Sequence, residues 1–156
     1  MITAVSEMER EVRALRANKK RISFTNGCFD LVHAGHVASL EYARSLADVL
    51  IVGINTDESV RRIKGEARPV VPLERRIDLL SALRCVDYVI PFDQDTAVTL
   101  VTKVRPDYYV KGGDYDVAAT PEGLEAQRIG GKAVNGPLVP GISTTKMING
   151  LKGQTK

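Results

Sequence analysis

The 156-residue sequence is poor in the residues that build special sites: it has two cysteines and two histidines. Cys28 and Cys85 are too few for a disulfide framework, which favours a reducing, cytoplasmic setting. No run of 18 or more apolar residues occurs, so no transmembrane helix and no membrane partner are expected. Met1 to Lys20 is charged throughout and has no apolar core of the kind a secretory signal needs. Repeats, low-complexity tracts and linkers are absent, which predicts one domain over residues 1–156, with a core of about 22–148 behind a helix at 5–17. Two familiar phosphate loops are also missing. There is no GxxxxGK[ST] and no GxGxxG after the first strand, and the second absence argues against a dinucleotide-dependent redox enzyme.

What is present suits a globular chain. Apolar residues make up 44% and charged residues 26%, and a chain of this length hides roughly 70% of its unfolded surface. The net charge of +3 is unevenly spread. Arg61 to Arg76 holds six basic residues against two acidic ones, a net +4, and the rest of the chain holds sixteen against seventeen. A nucleic-acid protein would carry a broad basic stripe, so no nucleic-acid partner is expected. A concentrated patch suits a small, highly charged ligand such as a nucleoside triphosphate or a sugar phosphate. Gly65 and Pro69 make that segment read partly as loop.

Strands and helices alternate along the chain. Val5, Met8, Val12 and Leu15 form a helical stripe. Arg21 to Asn26 reads as a strand turning at Asn26-Gly27. Val37, Leu40, Ala43, Leu46 and Ala47 mark a second helix, and Val49 to Ile54 a buried parallel strand. Pro72 suits the first position of a helix carrying Leu73, Ile77, Leu80 and Leu83. Tyr88-Val89-Ile90 is a third strand, and Asp95 is a candidate cap for a helix with Val98, Val101 and Val104. Tyr108-Tyr109-Val110 is a fourth strand. Thr120-Pro121 opens a short helix, Lys132 to Val139 holds a last strand, and Ser143 is a candidate cap for a final helix. The alternation predicts an α/β fold with a parallel sheet and helices on both faces.

Ligands of such sheets lie outside the carboxyl ends of the strands, and the unusual residues fall there. Thr25 to Asp30 follows the first strand, Asn55-Thr56-Asp57 the second and Lys111 to Tyr115 the fourth. His33 and His36, three apart at a predicted helix start, put both rings on one side of the first turn. Free backbone N–H groups and a positive dipole end make that turn a natural phosphate site. Ser143-Thr144-Thr145 offers a second hydroxyl-rich helix start. Cys28, His33 and His36 match no common zinc spacing, so no protein-held metal is expected. Gly112-Gly113 suggests close backbone approach to a ligand.

Gly27-Cys28-Phe29-Asp30, His33-Ala34-Gly35-His36 and Ile142-Ser143-Thr144-Thr145 resemble the small HxGH nucleotidyltransferases. Arg62-Ile63-Lys64-Gly65, Arg68-Pro69-Val70, Pro72-Leu73-Glu74, Arg76 and Val110 to Tyr115 resemble the D-glycero-D-manno-heptose 1-phosphate adenylyltransferases. The similarity runs from about Ile22 to Ile148. It implies a Rossmann-like three-layer sandwich, transfer of AMP from ATP to a sugar 1-phosphate, and a homo-oligomer. No sugar-kinase domain precedes the segment, so the stand-alone form is implied. The resemblance assigns His33, His36, Lys64 and Arg76 to catalysis. It assigns Asn26, Gly27, Cys28, Phe29, Gly35, Lys111, Gly112, Asp114, Ser143, Thr144 and Thr145 to the nucleotide. Asp30, Arg68, Gly113 and Tyr115 fall to the sugar phosphate, and Mg2+ is implied as a cofactor held mainly by nucleotide phosphates. Glycerol-3-phosphate cytidylyltransferases and FAD synthetase-like adenylyltransferases share parts of these motifs. A nucleotide sensor without turnover is the non-enzymatic alternative.

Overall fold

The structure, a computed structural model, describes residues 5–113, 116–140, 147, 148 and 150. The expectations placed on Asp114, Tyr115, Ser143, Thr144 and Thr145 lie outside the described residues. In chain order the elements are α1 (Val5–Ala17), β1 (Ile22–Gly27), α2 (Ala34–Ser45), β2 (Val49–Asn55), α3 (Asp57–Lys64), α4 (Leu73–Ser81), β3 (Tyr88–Phe92), α5 (Val98–Val104), β4 (Tyr108–Lys111), α6 (Pro121–Arg128) and β5 (Lys132–Asn135). A short 3-10 helix, Val117–Ala119, precedes α6. The sheet order is β3-β2-β1-β4-β5, and every pair is parallel.

Alternation within each strand sends side chains to two separate cores. Phe24, Ile51 and Tyr109 lie on one face with Met8, Leu100 and Ala126, under α1, α5 and α6. Leu50, Val52, Val89 and Val110 lie on the other with Leu40, Ala43 and Leu80, under α2 and α4. This is the predicted three-layer arrangement with helices on both faces. Burying each such side chain contributes about 1.5–3 kcal/mol. Gly53 is required by close packing, because a Cβ there would sit 3.0 Å from the Phe24 ring. Pro91 lies on β3, an edge strand, and its missing N–H denies that edge a further partner.

The amino ends of the strands share one device. An aspartate just before β2, β3 and β4 takes a backbone amide at or beside the start of a neighbouring strand. Asp48 accepts from Arg21 N at 2.8 Å, Asp87 from Leu50 N at 2.8 Å and Asp107 from Ile22 N at 2.7 Å. Arg44 and Arg16 neutralise Asp87 and Asp107 at 2.9 and 2.6 Å. This end of the sheet is held by structural carboxylates, which leaves the opposite end for ligands.

Three sequence expectations shift here. The basic segment is not loop from its start, because α3 occupies Asp57–Lys64. Its apolar stripe is too short to show periodicity. It is specified instead by the Thr56 cap, which accepts from Ser59 N, and by acids in its first turn and bases in its last. Pro72 sits at the cap position, with α4 starting at Leu73. Asp95 does not cap α5. Its carboxylate instead receives Arg62 Nε at 2.9 Å, and the α5 cap is Ala97.

Candidate active site

The strand order reverses between β1 and β4, and there the two strands part. Only Ser23↔Tyr108 and Phe24↔Tyr109 are in register between them, whereas β1 pairs with β2 along its whole length. Such a switch point opens a crevice at the carboxyl ends of the strands. Tyr109 Oη reaches across and donates to Asn26 Oδ1 at 2.8 Å. That bond commits the amide oxygen and leaves the Asn26 Nδ2 group as donor.

Two cavities of about 390 and 330 Å3 flank the crevice. Asn26 to Phe29, His36 and Lys111 line both and form the shared wall. The larger cavity adds His33, Gly35, Ser39, Gly112 and Gly113 and has an apolar rim of Pro137, Leu138 and Val139. The smaller adds Asp30, Asn55, Lys64, Arg68, Asp95 and Glu122. Close approach of the ends of β4 and β5 to α2 needs two glycines. A Cβ on Gly112 would lie 3.1 Å from Ser39 Oγ, and one on Gly136 2.7 Å from it.

The two histidines cap α2 with their own rings. His33 Nδ1 accepts from Gly35 N at 3.2 Å, and His36 Nδ1 accepts from His33 N at 3.4 Å. This is a capping box built from imidazoles. Accepting at Nδ1 puts the ring proton of the neutral form on Nε2. The ring centroids are 3.9 Å apart, so the pair presents two adjacent N–H donors. Burial lowers the pKa of both rings. His36, with the added repulsion of His33, is held at about 4. Phe29, at φ +47, turns its ring against His36 at 5.4 Å and walls that side. A non-glycine residue in the left-handed region costs of order 1 kcal/mol, as is common at working sites.

Lys111 lies in the shared wall. Burial lowers its pKa, and Glu122 and Cys28 pull it back up. Among the described residues no hydrogen bond or ion pair engages Lys111 Nζ or Lys64 Nζ. Two uncommitted cations therefore face the same space. Burial raises the pKa of the Cys28 thiol, despite Lys64, Arg76 and Arg68 nearby, which disfavours the reactive thiolate.

Two assigned roles need correction. Arg76 is fully buried, and its guanidinium is spent on protein acceptors: Val71 O at 2.9 Å, Cys28 O at 2.6 Å, Asn55 O at 2.9 Å and Asp57 Oδ1 at 2.6 Å. It supports the floor of the site and lines neither cavity. Asp30 is likewise committed. Its carboxylate accepts from Val70 N, Val71 N and the Arg68 guanidinium. Burial pushes its pKa up, but those donors outweigh it and hold the group below the usual range. Asp30 thus anchors the 68–71 segment and aims Arg68. The structure brings Asn26, Gly27, Cys28, Phe29, His33, Gly35, His36, Lys64, Arg68, Lys111, Gly112 and Gly113 together. Asn55, expected at the carboxyl end of the second strand, joins them, as do Ser39, Asp95, Glu122 and Pro137 to Val139 from positions that the sequence does not mark for a ligand.

Residues 24–149 match the family described as cytidylyltransferase-like. The chain belongs to the cytidylyltransferase-like family. It is therefore a nucleotidyltransferase, and the HxGH capping box sits within the matched region. Among curated relatives, the bifunctional protein HldE of Photorhabdus laumondii is 47% identical over 95% of this chain, and that of Proteus mirabilis 46% over 94%. The chain spans 31% of the length of each. Among solved structures, a lipopolysaccharide core biosynthesis protein from Thermoplasma volcanium is 27% identical with a TM-score of 0.63, covering 76% of this chain and 97% of that one. A pantoate-beta-alanine ligase from Francisella tularensis has a TM-score of 0.61 at 15% identity, covering 97% of this chain and 77% of that one, which shows a shared fold alone. No helix among the described residues is long and apolar enough to cross a membrane.

Two outcomes follow from this geometry. In the free protein the His36 ring should stay neutral from pH 8 to about pH 5.5, with its proton on Nε2. Its stabilising neutrality is lost only as pH falls from about 6.5, the unfolded value, towards 4. Imidazole 15N chemical shifts measure this, and a midpoint near 6.5 would contradict the burial argument. Arg76→Ala should lower stability to urea by about 3–5 kcal/mol, the scale of breaking a buried pair. A surface phosphate-binding arginine would lose less than 1 kcal/mol in the same measurement.

Proposed function

We propose that this chain transfers AMP from ATP to D-glycero-D-manno-heptose 1-phosphate, giving ADP-heptose and pyrophosphate. The observation that carries the reading is the pair of cavities sharing one wall. The nucleotide takes the larger, with its apolar rim and glycine-lined floor, and the sugar phosphate takes the smaller, with Lys64 and Arg68. The α-phosphorus then lies at the shared wall, beside His36 and Lys111. Support for this acceptor comes from the resemblance of the 62–76 and 110–115 segments and from the identity with HldE proteins.

In this reading an oxygen of the sugar phosphate, already an anion near neutral pH, attacks the α-phosphorus, and the bond to the pyrophosphate oxygen breaks. No general base is required. The protein contributes position and charge neutralisation. The two Nε2–H groups donate to triphosphate oxygens, and Lys111 and Lys64 offset the charge spread over the transferring group. The Asn26 amide and the Gly112 backbone line the nucleotide, and Gly113, expected beside the sugar phosphate, falls with them in the larger cavity. The resemblance alone assigns Ser143, Thr144 and Thr145 to the outer phosphates, Asp114 to the nucleotide and Tyr115 to the sugar phosphate. Among the described residues no three His, Cys, Asp or Glu side chains are grouped to hold a metal. The Asp30, Asp95 and Glu122 carboxylates of the smaller cavity are each already engaged on one oxygen or both. Magnesium is therefore proposed to arrive on the nucleotide, and no step is assigned to a protein-held ion. The reading carries with it a cytoplasmic location, in keeping with two free cysteines, and assembly as a homo-oligomer.

The test is pyrophosphate release with magnesium and each of ATP, CTP, GTP and UTP against a panel of sugar and polyol phosphates. Turnover is expected with ATP and heptose 1-phosphate. Release only with CTP and glycerol 3-phosphate would overturn the proposal, and bound nucleotide without any release would favour a sensor. In the same assay, His33→Ala or His36→Ala should lower kcat by about 10²–10³, the scale of a lost oxyanion-type donor.

A further inference from the structure

Glu122 has one oxygen too many for a structural residue. It is the second residue of α6, following the Thr120 cap, and is 6% exposed. Its Oε1 accepts from Ala97 N at 3.0 Å and so caps α5, which has no side-chain cap of its own. Oε2 has no hydrogen-bond or ion-pair partner among the described residues. Yet none of the buried side-chain polar atoms there lacks a partner. Oε2 is therefore open, and the surface Glu122 lines is the smaller cavity. A nine-tenths-buried glutamate that lines a polar cavity with one carboxylate oxygen open awaits a donor.

The cavity's other charges say what kind of donor. Lys64, Arg68 and Lys111 line the same space and suit a phosphate. A second anion would be repelled from Glu122, and a bound cation would be repelled by the uncommitted Lys64 and Lys111. Asp30 is consumed by Arg68 and two amides, and Asp95 already carries the Arg62 guanidinium on Oδ1. A carboxylate accepts only. What remains is a neutral, donor-rich group joined to a phosphate: the hydroxyls of a sugar or polyol phosphate. We propose that Glu122 is a specificity-determining residue that accepts hydrogen bonds from acceptor hydroxyls, orienting the molecule so that its phosphate end meets Lys64, Arg68 and Lys111. This rests on the smaller cavity being the acceptor site.

Glu122→Gln tests it, since the amide oxygen can keep the Ala97 bond while Nε2 replaces the free oxygen by a donor. With ATP and heptose 1-phosphate, the variant should raise the acceptor KM about tenfold or more, with the ATP KM within twofold of wild type and Tm unchanged. Monodeoxy acceptors then identify the hydroxyl. One of them should lose about tenfold in kcat/KM with the wild type and show no such loss with the variant. If heptose 1-phosphate is not a substrate, the proposed activity fails, and the same comparison is made with whichever sugar or polyol phosphate the wild type turns over. If none is turned over, heptose 1-phosphate binding by calorimetry replaces KM. An acceptor KM or Kd within twofold of wild type overturns the role of Glu122. So does a parallel loss of ATP affinity and Tm, which marks a purely structural cap.

Discussion

A single buried guanidinium ties the carboxyl ends of the two central strands together. Arg76, from α4, donates to Cys28 O beyond β1, to Asn55 O at the end of β2, to Val71 O and to Asp57 at the start of α3. Loops at this end of a parallel sheet have no ladder to hold them. Their carbonyls would otherwise point into a dry space without donors. One planar fork with five N–H groups satisfies four acceptors from four segments. The wall shared by the two cavities, the start of α3 and hence the placement of Lys64 all rest on it. Asp30 does the complementary work in the opposite sign, gathering Val70 N, Val71 N and Arg68 onto one carboxylate.

With the floor held, the histidines can be used for something helix caps seldom do. Their Nδ1 atoms finish the α2 amino terminus, and that structural duty selects the tautomer that presents Nε2–H outward. Burial keeps the rings neutral. Neutral donors suit a site whose positive charge already comes from Lys64 and Lys111. Such donors can meet an oxyanion without a proton having to be gained or lost.

Much of the architecture was legible in the sequence, because it depends on local periodicity. The strand Val49–Asn55 is continuously apolar since both its faces are covered, and the α2 stripe repeats at helical spacing. The short α3 escaped for a physical reason. Eight residues with Val60 and Ile63 as their only large apolar side chains carry no period, and the helix stands on its cap and its end charges. The HxGH element and Gly112-Gly113 were recognisable because their chemistry is local. Arg76 was misassigned because exposure has no local signature. In sequence it is a second arginine beside Arg75, and only packing separates them: Arg76 is buried, and Arg75 reaches out to Asp78.

Fold class, the order of elements, the concentration of charge in 61–76 and the pairing of two histidines at a helix start were determined by the sequence alone. Each is a property of neighbours along the chain. The tertiary structure decided which polar groups are spent and which are free. Arg76 and Asp30 became supports, Lys64 and Lys111 stayed uncommitted, and Glu122 kept one open oxygen in a cavity shared with residues up to 96 positions away. A side chain's availability depends on the donors and acceptors that folding brings to it, and those come from distant strands and helices.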